Sequence, residues 1–217
     1  MPHPTTMKEA FCAKISWIEV AIIFLGACGP LLLNGNYKFY VKKIINNDEF
    51  LTVIGVIGSV GNGFSRYIIY LSRPLWNLLL KNTGYKFIIV FNFGIQIIIF
   101  STIRFTVNIQ GLFLFYIFMS NVCIGGLLGT TPTLLHLIFG VKVGSSAYAV
   151  YWQVFAISNF LQYGFVIGLS PLISFDGVLY ICLGMTVLAM IFILLANFQA
   201  PWKNSLEHLG YCVYCQK

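Results

Sequence analysis

Residues Phe50 to Lys86 read FLTVIGVIGSVGNGFSRYIIYLSRPLWNLLLKNTGYK, and the fold class turns on this stretch. A glycine-studded apolar run leads into Arg66, and no acidic residue occurs anywhere between Phe50 and Lys86. A helix on a soluble protein carries charge along one face, whereas this segment stays apolar all round until Arg66. That pattern predicts a membrane-spanning helix with a buried cation near one end. An arginine at membrane depth is costly, so it marks a substrate path or a structural contact inside a bundle. Beyond it the stretch closes on a basic, turn-rich connector before the next apolar run begins.

The totals agree. Of 217 residues, 59% are hydrophobic and only 9% charged, against about 25% charged in soluble domains. The mean hydropathy is +0.85. An ordinary soluble fold is excluded, and the class is an all-α polytopic membrane protein surrounded by a lipid bilayer. The 13 Lys and Arg against 6 Asp and Glu give a net charge of +7. These cations are scattered singly between apolar runs and form no basic stripe, so they read as orientation charge and not as a nucleic-acid surface.

Working outward, six spans are expected: Trp17–Leu33, Phe50–Ser72, Phe87–Ile103, Gly111–Thr131, Ala147–Leu169 and Gly177–Phe198. Residues 16–198 form the transmembrane domain, 1–15 a cytoplasmic N-terminal segment and 199–217 a cytoplasmic tail. A signal peptide with Lys8 and Lys14 as its basic flank competes for the first run, which is long for one and lacks a small-residue cleavage site. Pro30 predicts a kink there, and Glu19 an interfacial position. Asn34 to Glu49 reads as a loop. With both termini inside, the inner segments hold Lys8, Lys14, Arg73, Lys81, Lys86, Lys142, Lys203 and Lys217, while the outer loops hold Lys38, Lys42, Lys43 and Arg104. Eight against four, with Arg66 left out as intramembrane, favours cytoplasmic termini. Trp17, Trp76, Trp152 and Trp202 all fall at the same inner ends.

Cys28, Cys123 and Cys182 lie in apolar runs, where a thiol packs as a small hydrophobe. Cys212 and Cys215 make a lone CxxC with His208 nearby. A zinc site asks for a second ligand pair, so free thiols or an acylated tail fit this pair better. No cofactor or metal is called for. No catalytic constellation with any spacing logic is visible either, which argues against an enzyme. On the fifth span Tyr148, Tyr151, Phe155, Ser158, Asn159 and Gln162 share one helical face. That face either bonds neighbouring helices or lines a pore. Gly55, Gly58, Gly61 and Gly63 read as close-packing positions. His136 sits near a membrane boundary.

Two stretches carry a family resemblance. Asn62-Gly63-Phe64-Ser65-Arg66, then Arg73-Pro74-Leu75-Trp76-Asn77, Leu79 and Lys81-Asn82-Thr83-Gly84-Tyr85-Lys86 resemble the connector after the eighth helix of major facilitator transporters. The relevant branch is that of oxalate/formate and monocarboxylate carriers. Pro132, Phe139-Gly140-Val141-Lys142-Val143-Gly144 and Tyr148 resemble that branch's inner loop between the tenth and eleventh helices. The resemblance implies the C-terminal six-helix half of a twelve-helix carrier of small organic anions, acting with a second copy or a separate N-terminal half. Seven residues, Arg66 to Ser72, stand inserted between the two parts of the motif. Lys81 replaces an expected Asp, Asn77 a Gly and Asn62 the Asp of monocarboxylate carriers, and the eleventh-helix lysine of the oxalate branch has no counterpart.

The substrate site is expected at Arg66 or Arg73, with Asn62 orienting Arg66 and with Tyr151 and Asn159 facing the same cavity. Arg66 is the deeper of the two arginines and so the one in need of partners. With Glu19 interfacial, anion exchange or facilitated diffusion is expected in place of proton symport. The rival readings are a non-transporting membrane subunit that assembles with a partner through its glycine-rich faces, and a truncated or mis-assembled carrier fragment with no activity.

Overall fold

The computed structural model describes residues 6–12, 14–42, 44–45, 47–80 and 84–196, and no strand occurs among them. The side chains of Arg73, Trp76 and Asn77 lie outside the described residues. So do Lys81 and everything from residue 197 onward, with the predicted tail, His208, Cys212 and Cys215. The chain folds as α1 (Met7–Cys12), α2 (Lys14–Val41), α3 (Asp48–Leu80), α4 (Gly84–Thr106), α5 (Gln110–Gly164), a π-helical turn (Phe165–Leu169) and α6 (Ser170–Leu195).

Two residues interrupt the long helices. Gly140 has φ 78° and ψ 166°, and Ser174 has φ 67° and ψ 165°. Glycine takes that backbone at no steric cost. Ser174 is the one non-glycine residue in it among those described, and it accepts a hydrogen bond from the Gly177 N–H at 3.4 Å. Pairings on either side of Gly140 show that the chain reverses there. Before it, Asn121 reaches Asn34 while Leu127 lies beside Ile23, so α5 runs antiparallel to α2. After it, Tyr151 reaches Ser16 and Ser158 reaches Phe24, so α5 runs parallel to α2. The helix expected to end at Thr131 thus runs on through Pro132 to Gly140. Pro132 lacks one N–H, which leaves one backbone bond unmade, and packed neighbours carry the helix past it.

Four helical stretches are long and apolar enough to cross a membrane by length and composition: Lys14–Val41, Lys86–Thr106, Gln110–His136 and Ile138–Leu195. The surface fits that reading. Phe91, Phe105, Phe160, Ile167 and Leu172 are 62–78% exposed, an apolar exterior that a monomer in water does not sustain. The described residues form an all-helical bundle compatible with a bilayer. Helix α3 is not among the four, because its glycines, Asn62 and Arg66 dilute its apolar character.

Helix α2 overruns its predicted end. The polar residues assigned to a loop continue the helix to Val41, since each finds a partner across the bundle. Asn34 bonds Asn121 at 2.8 Å, Asn36 bonds Gln162 at 3.2 Å and Lys38 bonds Thr52 at 3.0 Å. The N-terminal segment also differs from a plain solvated arm. Ala10 is buried, Ser16 Oγ donates to the Ala10 carbonyl and Trp17 Nε1 donates to that of Phe11 at 3.0 Å. Helix α1 therefore folds onto the bundle's end.

Glycines bring α3 onto α5. A Cβ at Gly58 would meet Asn121, one at Gly61 would meet Phe118 and Val122, and one at Gly125 would meet Ser65 Oγ and the Asn62 carbonyl. Gly55 faces the Tyr37 hydroxyl, whereas Gly63 has no neighbour within 4 Å. Close packing accounts for three of the four glycines singled out on α3. At one rim Asp176 accepts a 2.7 Å hydrogen bond from Tyr40 and pairs with Arg104 at 3.7 Å, which joins α2, α4 and α6. At the other, Lys86 Nζ donates to the carbonyls of Leu194 and Ala196 at 2.7 and 2.9 Å. A cation there suits the negative end of α6.

Candidate functional site

The face of α5 that carries Tyr151, Phe155, Ser158 and Gln162 is buried, and its polar groups bond α2. Tyr151 donates to the Ser16 carbonyl at 3.0 Å and Ser158 to that of Phe24 at 3.0 Å. Gln162 accepts from Asn36 and donates to Asn159 Oδ1 at 2.8 Å. Of the two accounts of this face, helix–helix bonding describes what these groups do. Tyr151→Phe should then cost about 0.6–1.5 kcal/mol, the range for one interhelical hydrogen bond. A thermal melt in detergent measures it, and an unchanged midpoint would show that the bond contributes nothing.

The structure brings Asn62 and Arg66 together. Arg66 Nε donates to Asn62 Oδ1 at 3.1 Å, one helical turn away. Arg66 is exposed, and its terminal nitrogens have no partner among the described residues. Tyr151 and Asn159 are not joined to it by any described bond. Asp48, at the start of α3, is about 27 Å from Arg66 along the helix axis. That distance is close to the roughly 30 Å of a hydrocarbon core.

Arg66 stands on a stripe. Thr52, Val56, Ser59, Gly63 and Arg66 are all exposed and recur at four- and three-residue steps, so they follow one line down α3. The upper part of that line opens into a cavity of about 790 Å³ between α2, α3 and α5, lined in part by Asn34, Tyr37, Lys38, Thr52, Ser59 and Asn121. Lys38 supplies a cation there, bonded to Thr52 and 3.8 Å from Asp48. Asn34 Nδ2 is buried without a partner. One cation, an amide donor and hydroxyls set in the largely apolar wall of this open cavity can receive a small anionic or polar molecule. Its lining residues Asn34, Lys38 and Asn121 were absent from the expected site, because Asn34 and Lys38 read as loop. Their spacing of four, continuing the helical register of α2, was the available signal.

Glu19 departs from its expected interfacial position. It is 2% exposed, and its Oε1 has no hydrogen-bond partner. Buried acceptors and donors without partners also occur at Asn92, Gln96 and Ser120. Gln96 shares a face of α4 with Phe93 and Phe100, the rings that pack on Gly26 and Gly29 of α2. His136 contacts Ser145 at 3.1 Å, a bond that closes the turn at Gly140. Cys28, Cys123 and Cys182 are buried free thiols. No cluster of three potential metal ligands occurs among the described residues.

No family model, no curated protein and no solved structure matches this chain.

Proposed function

We propose that this chain is a secondary transporter of a small organic anion, monocarboxylate or oxalate-like, built as one half of a major-facilitator-type carrier. Six crossings with both termini cytoplasmic make up the unit, and it performs no covalent chemistry. The observation that carries the reading is Arg66, held by Asn62 through Nε with its terminal fork unpaired among the described residues, at the foot of an exposed stripe that begins in the Lys38 cavity. A guanidinium fork matches a carboxylate in two-point geometry. Cations at both ends of a track about 21 Å long, Thr52 to Arg66 at 1.5 Å per residue, suit an anion that moves between them.

Support for six crossings comes from the reversal at Gly140 and the backbone break at Ser174, which fall between predicted spans. The motif residues from Asn62 to Lys86 and from Pro132 to Tyr148 support the carrier reading. The exposure of the Arg66 stripe supports a missing wall, which a second copy or a separate half supplies, since alternating access needs two bodies to rock around one site. A subunit that assembles through its α3 glycines is less well supported, because Gly58 and Gly61 are already packed against α5.

The test is uptake of labelled lactate, pyruvate or oxalate into proteoliposomes, with the mass of the active species measured in mild detergent. Saturable uptake by a species larger than one chain is expected. Uptake equal to empty liposomes from folded protein would overturn the transport reading. Activity from a single chain would overturn the need for a second wall.

A further inference from the structure

Away from the arginine stripe, α3, α4 and α5 enclose a second cavity, of about 480 Å³, within the roughly 300–1,000 Å³ usual for ligand sites. We propose that it binds one acyl chain of a bilayer lipid. Its walls are Phe64 and Ile68 of α3, Phe87 and Phe91 of α4, and Phe118 and Met119 of α5, among other apolar residues. The groove persists because α3 and α4, consecutive in the chain, both lean on α5 and touch each other little. Glycines 58, 61 and 125 hold α3 to α5, and Gly126 admits the Asn92 amide of α4.

Among the described residues three polar ones reach the walls, and their donors are directed into the protein. Ser65 Oγ donates to the Asn62 carbonyl at 2.9 Å, Asn92 Nδ2 to that of Cys123 at 2.9 Å, and Cys123 Sγ to that of Asn92 at 3.6 Å. Among the described residues no donor on these walls asks for a partner in the ligand, and the one wall acceptor left without a partner, Asn92 Oδ1, is itself buried, so the chemistry selected is hydrocarbon. The dimensions select its form. The α4 wall from Phe87 to Ile95 and the α5 wall from Phe118 to Gly126 each run eight residue steps, about 12 Å along the axis. One leaflet of a hydrocarbon core is about 15 Å deep, so a chain lying along the helices fits within it. The rim is open sideways, with Phe64 57% and Phe91 62% exposed, so the chain enters from the bilayer. A helix of a second copy, about 10–12 Å wide with its side chains, is the competing occupant.

The experiment uses the full chain in nanodiscs containing a phosphatidylcholine with a photoactivatable diazirine in one acyl chain. Labelled residues are mapped by mass spectrometry, and native mass spectrometry counts lipid retained after detergent washing. Labelling concentrated on all three walls is expected, with one lipid retained per chain. Ile88→Trp and Ile95→Trp fill the groove and should lower its labelling to that of the outer face of α6 near Leu194. Ile98→Trp, on the same helix but outside the groove, should leave it unchanged. Even labelling of every lipid-facing helix overturns the proposal, as does groove labelling that survives both fillers in folded protein. Chain-to-chain crosslinks between cysteines placed at Phe64 and Phe91 assign the groove to a second copy and overturn it too. If both fillers unfold, the wild-type labelling map decides alone.

Discussion

Gly125→Leu is expected to abolish the folded bundle. At that position α3 lies against the bare backbone of α5, and a Cβ would run into Ser65 Oγ and the Asn62 carbonyl. A flexible side chain can step aside; a backbone carbonyl inside a helix cannot. Overpacking costs about 1–3 kcal/mol where side chains can yield, and here α3 must move as a body, so the effect lies at or above the top of that range. The companion change Gly63→Ala has open space around it and should be neutral or favourable by up to about 1 kcal/mol, the helix-propensity gain of Ala over Gly. Size-exclusion profiles and thermal midpoints in detergent compare the two. If Gly125→Leu elutes and melts like the parent, α3 does not pack on α5 as described.

The second large effect is on anion binding. Arg66→Lys should weaken binding of a labelled carboxylate by about tenfold or more, since hydrogen bonds to charged groups contribute about 1.5–3 kcal/mol and 1.4 kcal/mol is a factor of ten. Lysine keeps the charge and loses the planar fork. It also loses the Nε bond by which Asn62 orients the group. Arg73→Lys, seven residues further along α3, should have the smaller effect, because an arginine nearer the helix end can snorkel to the headgroups and stay solvated. Scintillation proximity on folded protein reads both. The reverse order would move the site to the Arg73-Pro74 position.

These two expectations draw on different levels of the molecule. That the chain is helical and apolar enough for a bilayer follows from composition and run length alone, because hydrocarbon excludes charge and demands internally bonded backbone. The close-packing role of Gly58 and Gly61 was likewise legible, since only small residues let helix axes approach. So was the Asn62–Arg66 bond, because residues four apart on a helix are neighbours whatever surrounds them.

What lay beyond the sequence depends on partners remote in the chain. Asn34, Asn36 and Lys38 read as a loop because they are polar. They are helical because Asn121, Gln162 and Thr52, from 14 to 126 residues away, satisfy them. Glu19 read as interfacial because an acid near the end of an apolar run usually is. Tertiary packing buries it instead, under helices whose approach no local pattern encodes. The amphipathic face of α5 was recognisable from its period, yet period cannot say whether a face meets water or another helix. The Ser16 and Phe24 carbonyls of α2 decide that. The resulting division is physical: one-dimensional pattern determines which segments are helical and apolar, while the assignment of each polar group to a partner, a cavity or a substrate is made only where helices distant in sequence come into contact.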